Sequence, residues 1–216
     1  MEQYIEQTLK ALEKNNMQAV YVEKKSDIID AVKEFLPKGS CVAVGGSVTL
    51  DESGVIDLIR NGDYVFYDRY APNLTAEQTN EVFVKSLSAD VFLMSSNAIT
   101  KNGELYNVDG RSNRVAPLVF GPKSVVVVAG KNKIVENIAE AVLRVKTIAA
   151  PLNAKRLNCN TYCAKVGKCV SLSTDNPEMS AGCGSEARIC CNYVVSAMQR
   201  TKNRIKVIIC GEDLGY

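Results

Sequence analysis

Apolar and polar residues alternate along the first 150 positions in blocks that predict strands and helices in turn. Short continuous apolar runs are typical of strands that are buried on both faces. They predict strands at 17–22, 41–44, 64–67, 91–94 and 124–129. Between them, apolar residues recur every three or four positions, which indicates amphipathic helices. The helix predictions are 5–12, 26–36 with Ser26 as cap, 75–87 with a Thr75–Gln78 capping box, and 134–148. This alternation predicts an α/β fold: a Rossmann-like, mainly parallel sheet covered by helices.

The pattern changes after Pro151. Residues 153–191 show little periodicity, many small polar residues and a cluster of cysteines, so we expect a cysteine-rich excursion there. Strand-like runs return at 193–195 and 205–209, and the last is expected to rejoin the main sheet. We therefore predict one α/β domain over residues 1–216, with the segment 153–191 within it.

Composition removes several classes of protein. An apolar content of 46% with a net charge of +2 is typical of a folded chain and gives no support for nucleic-acid binding. The longest strictly apolar run, 125–129, is too short to span a membrane, and no signal peptide is visible, so a cytoplasmic protein is expected. The chain has no histidine, which excludes histidine bases, triads and metal ligands.

A glycine-rich loop follows the predicted strand 41–44. Gly45 and Gly46 permit close approach of a ligand to the backbone, and Ser47 and Thr49 add hydroxyl groups near a helix start. These residues predict an anion-binding site. An ordinary strand-to-helix turn with Ser47 as N-cap explains the same pattern.

A dense polar segment, residues 96–114, follows the predicted strand 91–94. Open parallel sheets bind ligands at the carboxyl ends of their strands, so this position favours a site. Without histidine, a glutamate there can serve as base or nucleophile. A solvated hairpin with turns at 102–103 and 109–110 is the alternative. The segment is dense in polar side chains, among them Asn97, Glu104, Asn107, Asp109, Asn113 and Arg114.

Eight cysteines are many for a chain of this length. Cys41 and Cys210 fall within predicted strands and are expected to be inert. The other six lie between 159 and 191, and thiolates commonly bind zinc or iron–sulfur clusters four at a time. Their spacing matches neither the paired CxxC pattern of zinc sites nor the bacterial ferredoxin pattern. Reduced structural cysteines therefore remain the alternative to a metal site.

Several segments together resemble the LUD-domain family, the lactate-utilization proteins. They are GGSVTL at 45–50, the stretch 95–157, CAKVGKC at 163–169, ARIC at 187–190 and RIKVIICGEDLGY at 204–216. The resemblance extends over essentially the whole chain, and its cysteine segment is similar to that of the shorter, single-domain members. In this chain the gap between Cys169 and Cys183 is longer, and residues 184–187 replace the usual Ser-Pro.

The resemblance implies both a fold and a set of site residues. The implied fold is that of glucosamine-phosphate deaminases, ribose-phosphate isomerases and coenzyme A transferases, whose glycine-rich loop commonly holds phosphate. It strengthens the interpretation of Gly45, Gly46, Ser47 and Thr49 as an anion site. It also makes Glu104, with Asn97 and Arg114, the candidate catalytic group. The family pattern assigns metal binding to Cys163, Cys169, Cys183 and Cys190, leaving Cys159 and Cys191 without a role.

Two functions follow as hypotheses. In the first, the protein is a component of 2-hydroxy-acid oxidation, lactate to pyruvate, with an iron–sulfur cluster and iron–sulfur partner proteins. In the second, it is a stand-alone enzyme that binds a phosphorylated or coenzyme A-linked small molecule and carries a structural zinc. In both, the ligand is a small anion. The sequence leaves open whether the chain is itself an enzyme.

Overall fold

The computed structural model describes residues 1–174 and 178–216 of the chain. Within these residues the strands form two sheets. They are β1 Gln18–Val22, β2 Cys41–Val44, β3 Val65–Tyr67, β4 Val91–Met94, β5 Ala98–Thr100, β6 Leu105–Asp109, β7 Ser124–Gly130, β8 Ile134–Val135, β9 Asn192–Ser196 and β10 Ile205–Cys210.

The larger sheet has six strands in the order β1-β10-β7-β4-β2-β3, and every pairing in it is parallel. Its central strands are apolar on both faces because helices or a second layer cover each side. The last strand, β10, lies between β1 and β7, with Val207 opposite Val127. The predictions of a mainly parallel α/β sheet and of the return of the last strand are confirmed.

The helices are short apart from the first and fifth, and all but α1 lie between strands that are consecutive in the chain. They are α1 Gln3–Lys14, α2 Ile28–Lys33, α3 Val48–Glu52, α4 Val55–Asn61, α5 Ala76–Lys85, α6 Val115–Val119, α7 Ile138–Arg144, α8 Ala150–Arg156 and α9 Tyr162–Val166. A π-helical turn, Val145–Ala149, joins α7 to α8. In the described residues, every helix is too short or too polar to cross a lipid bilayer.

Two apolar clusters occupy the two faces of the large sheet. On one face, Val42, Leu93 and Val126 pack with residues of α2 and α4. On the other face, Phe92 and Val127 pack with α1 and with the inner side of the smaller sheet. Alternate residues of each strand therefore serve different layers, as the two-residue period of a strand requires.

The smaller sheet has the order β8-β5-β6-β9 and contains both pairings: β5–β6 and β6–β9 are antiparallel, and β5–β8 is parallel. The hairpin predicted at 96–114 therefore exists, but the expectation that it is solvated is wrong. Ala98, Ile99 and Tyr106 are fully buried because the large sheet lies on one side and α7 on the other. This second sheet was not predicted.

Two helix starts differ from the predictions. Ile134, which the apolar spacing places in a long helix, lies in β8, opposite Ile99. The helix begins after Asn137, whose side chain accepts a hydrogen bond from the Glu140 amide. The first turn of the helix predicted from Ser26 is a 3₁₀ turn, 25–27. By contrast, the Thr75–Gln78 capping box is confirmed at the start of α5.

Candidate functional site

The carboxyl ends of β2, β4 and β7 lie side by side because these strands are parallel neighbours. The loops after them carry Ser47, Ser95 and Lys133, which line one cavity of about 430 Å³. This volume lies in the range of small-molecule sites. Asp109, which ends β6, and Arg114, which directly precedes α6, contribute to the same wall. The cavity thus occupies the position where parallel sheets bind ligands.

Arg114 is the central structural group of the wall. Its guanidinium donates to the side chains of Asn97 and Asn107 and to the carbonyl oxygens of Ser95 and Val108. Its Nε lies 3.3 Å from Oδ2 of Asp109. Burial lowers the pKa of Arg114, although the group stays charged. Because these partners occupy its donors, Arg114 contributes mainly charge and rigidity to the cavity.

The cavity is strongly cationic. Its only carboxylate side chain among the described lining residues is Asp109. Its cationic side chains are Arg69, Arg111, Arg114, Lys133 and Arg156. Low-dielectric walls lined by one sign of charge attract ions of the other sign. The arrangement can therefore hold an anion.

Arg69 is the guanidinium best placed to meet a ligand. It lies over the rings of Tyr70 and Phe83, at 5.4 and 4.8 Å from their centroids, and no described carboxylate pairs with it. Burial lowers its pKa. A Cβ on Gly46 would lie 3.4 Å from Nη1 of Arg69, so this glycine keeps the space beside the guanidinium open.

Lys133 is 3% exposed, and its ammonium group lies 2.8 Å from Oγ1 of Thr49 and 2.9 Å from Oγ of Ser95. Within the described residues no carboxylate forms an ion pair with it. Burial, reinforced by the charges of Arg144 and Arg114, lowers the pKa of Lys133 to about 7. A large part of the population therefore carries a neutral amine at neutral pH.

The structure brings the glycine-loop residues to this site in different ways. Gly46 and Ser47 line the cavity, and Ser47 also caps α3 by accepting a hydrogen bond from the Leu50 amide. Gly45 lies behind them: a Cβ there would be 2.7 Å from Cγ of Arg114. Thr49 is buried and positions Lys133.

Among the predicted catalytic residues, Asn97 and Arg114 meet in the cavity wall, with Nη2 3.0 Å from Oδ1. Glu104 lies elsewhere, at the β5–β6 turn, where its carboxylate accepts a hydrogen bond from Oγ1 of Thr100 at 2.7 Å. Strand β6 separates it from Asp109 by five residues, or about 16 Å. The structure therefore does not bring Glu104 together with the other two, and Asp109 is the carboxylate of the cavity.

Sequence reasoning missed Lys133, Arg69 and Arg156. Arg69 and Lys133 follow the strands β3 and β7, so their place after a parallel strand was the available signal. Arg156 ends α8 and reaches the cavity by donating to the hydroxyl of Tyr216. Nothing in the local sequence distinguishes Arg156 from the other lysines and arginines of the chain.

The four predicted metal-binding cysteines, Cys163, Cys169, Cys183 and Cys190, line one small apolar cavity of about 20 Å³. Lys146 tethers the loop that carries Cys183, because its Nζ donates to the carbonyl oxygens of Glu178 and Ala181 and to Oγ of Ser171. In the described chain all cysteine thiols are free, and no three Cys, Asp or Glu side chains converge closely enough to share one metal ion.

Tyr106 lies in the wall of the same cysteine-lined cavity. Its hydroxyl is fully buried and has no hydrogen-bond partner in the described residues. Burial raises the pKa of this hydroxyl and that of the Cys190 thiol, so both hold their protons at neutral pH. A buried donor without a partner is costly and fits a cavity that takes an acceptor such as sulfur. Four cysteines are the number of donors that a thiolate-bound group typically requires.

These features define an α/β protein with a cation-lined cavity at the carboxyl edge of a parallel sheet and a separate cysteine-lined cavity. The model of the LUD domain matches residues 5–210, and the chain belongs to the LUD-domain family. No curated protein sequence matches the chain significantly.

Solved structures with a similar fold include a DUF162 family protein from Deinococcus radiodurans, with a TM-score of 0.54, 15% identity and coverage of 96% of each chain. This likeness supports the fold. Ribose 5-phosphate isomerase from Plasmodium falciparum has a TM-score of 0.34 and 16% identity over 58% of this chain and 66% of that one. Ribose 5-phosphate isomerase A from Neisseria gonorrhoeae has a TM-score of 0.32 and 10% identity over 63% of this chain and 66% of that one.

Proposed function

We propose that this LUD-domain protein has a role related to lactate utilization and binds a small anionic metabolite of the 2-hydroxy-acid class in the cation-lined cavity. Family membership supports the first part. The observation that carries the second is that, among the described lining residues, cationic side chains outnumber the single side-chain carboxylate, Asp109. In this proposal Arg69 binds the ligand carboxylate, while Arg114 supplies background charge.

Isothermal titration calorimetry with L-lactate and pyruvate tests this proposal. We expect saturable binding that Arg69→Met weakens at least about tenfold, the loss of one charge-assisted hydrogen bond. Arg200→Met is the matched control because Arg200 is exposed and does not line the cavity. Absence of binding, or equal losses in the two variants, would contradict the proposal.

A phosphorylated or coenzyme A-linked ligand is the second candidate. The observation in its favour is that the cavity has more cationic side chains than a single ligand carboxylate can neutralise. A phosphate group carries more charge and three acceptor oxygens. Ribose 5-phosphate and inorganic phosphate belong in the same titration series, and binding of the sugar phosphate more than tenfold tighter than that of lactate favours this candidate.

For the cysteine-lined cavity we propose an iron–sulfur cluster bound by Cys163, Cys169, Cys183 and Cys190. The thiolates of a multi-iron cluster bind different iron atoms, so they lie farther apart than the ligands of a single zinc ion. The observation behind this assignment is that all four thiols line one cavity. A bound cluster would supply one-electron transfer to an oxidation pathway.

The enclosed space of about 20 Å³ has room for about one water molecule. Loading a cluster therefore requires the cysteine side chains to move outward, and the loop that Lys146 tethers is the part that must yield. Anaerobic purification with iron, sulfide and zinc analysis tests the assignment. Iron with matching sulfide supports it, zinc supports the structural alternative, and metal-free protein with four free thiols overturns both.

A further inference from the structure

Lys133 combines three properties that rarely occur together in a structural lysine. It lines the cation-lined cavity, it is nine-tenths buried or more, and in the described residues it has hydroxyl partners, Thr49 and Ser95, in place of a carboxylate. Buried lysines usually pair with an acid, because an isolated buried ammonium is unfavourable. A buried lysine that lines a cavity and has no acidic partner instead favours the neutral amine over the charged ammonium form.

We propose that Lys133 is a nucleophile that forms an imine with the carbonyl carbon of a small oxo acid bound in the cavity. This inference rests on the proposed function, because it requires that the cavity bind a small anion. The carboxylate of the oxo acid meets Arg69, and its carbonyl group points to Nζ of Lys133 beside the hydroxyl of Ser95.

The charged groups around Lys133 favour the reactive form of its amine. Arg144 from α7 and Arg114 from the start of α6 both disfavour a further positive charge, and Glu52 from α3 opposes them only weakly. A lysine desolvated beside other cations is a recognised route to an amine nucleophile. Lys131, two residues earlier, has the opposite surroundings: its Nζ lies 2.9 Å from Glu2, and this hydrogen bond raises its pKa.

The step balances without an oxidant or a reductant. The lone pair of Nζ attacks the carbonyl carbon, a C–N bond forms, and the carbonyl π electrons move to oxygen, which takes up a proton. The nitrogen of the resulting carbinolamine loses its protons, and the hydroxyl group leaves as water while the C=N bond forms. Amine and carbonyl compound thus give imine and water. The hydroxyl of Ser95, 2.9 Å from Nζ, is placed to pass a proton to the departing oxygen.

Reductive trapping on the full chain tests the proposal. The protein is incubated with glyoxylate or pyruvate and sodium cyanoborohydride at neutral pH, and the modified lysine is identified by peptide mapping with mass spectrometry. At pH 7 an amine with a pKa of 7 is half neutral, whereas an ordinary lysine is neutral on the order of 0.1% or less of the time. We therefore expect saturable labelling of Lys133 at least about tenfold faster than that of Lys131.

Two variants serve as matched controls. Lys131→Arg should leave the adduct unchanged, and Lys133→Arg should abolish the rapid labelling, with circular dichroism melting to confirm the fold. The wild-type peptide map decides the question even if Lys133→Arg fails to fold. Labelling of Lys133 no faster than that of Lys131 overturns the imine. If calorimetry still detects lactate binding in that case, the proposed function stands and only the imine is lost.

Discussion

Asp109 and Arg114 form an ion pair inside the cavity wall, with Oδ2 3.3 Å from Nε and side chains that are 11% and 10% exposed. Breaking such a buried pair is costly because the remaining charge lacks a partner. The pair also fixes the balance of charge in the cavity, because Asp109 is the single carboxylate among the described lining side chains.

Asp109→Asn should therefore have two opposite effects. We expect the free energy of unfolding to fall by about 3 kcal/mol, because the buried Arg114 loses its counter-ion. Affinity for an anion should rise, because a competing negative charge is gone. Urea unfolding and phosphate titration measure the two effects. Asp30→Asn, at an exposed pair with Lys33, should change stability by less than about 1 kcal/mol. Weaker anion binding by Asp109→Asn would contradict the assigned role.

Gly46→Val should block the ligand site without unfolding the protein. The new side chain would occupy the space beside Nη1 of Arg69, where a Cβ alone already lies 3.4 Å away. We expect at least about tenfold weaker anion binding in calorimetry, because the guanidinium is displaced or covered. Gly184→Val is the control, since a Cβ at that position meets nothing within 4 Å. Unchanged affinity in Gly46→Val would place the ligand elsewhere.

Glu104→Gln should leave ligand binding unchanged. Glu104 lies at the β5–β6 turn and bonds to Thr100, outside the cation-lined cavity. We expect a loss of stability below about 1 kcal/mol, since the amide oxygen of glutamine can still accept that hydrogen bond. A large loss of affinity or turnover in this variant would restore Glu104 to the site.

Lys133→Met should stabilise the protein at neutral pH, at the expense of the proposed amine. The folded-state pKa of Lys133, about 7, is below the unfolded value, so the unfolded chain binds one more proton between about pH 7 and pH 10. Stability of the wild type relative to the variant should therefore rise with pH over this window and level off below it. Thermal melts at pH 7, 8 and 9 measure the difference. A constant difference across these values would mean that Lys133 is not desolvated.

Cys163→Ser and Cys183→Ser should lower the metal content of anaerobically purified protein and expose residues 159–191 to protease. The physical reason is that the binding energy of a thiolate-bound group is part of what folds the segment around it. Cys159→Ser and Cys191→Ser are the controls, because neither residue lines the cavity shared by the other four. Equal metal content in all four variants would contradict the ligand assignment.

Much of the large sheet could be predicted from local patterns. Buried strands such as Val91–Met94 are continuous apolar runs, and the Thr75–Gln78 box marks the start of α5 through contacts three residues apart. Ile134 shows where this reasoning fails: its apolar spacing fits the following helix, yet pairing with β5 places it in a strand. Tertiary pairing overrides the local pattern there, because burial against a sheet is worth more than the helix propensity of one residue.

The order of residues was enough to predict the α/β class, the glycine loop after β2, the family resemblance and the choice of Cys163, Cys169, Cys183 and Cys190. Each of these depends on the order of residues along the chain. Which charged groups lie close together follows from the three-dimensional packing alone. Lys133, in the turn after β7, and Asp109, at the end of β6, share one cavity, while Glu104, close to Asp109 in sequence, lies just before the other end of β6. Electrostatic character depends on distance and burial in space, and a linear sequence contains neither.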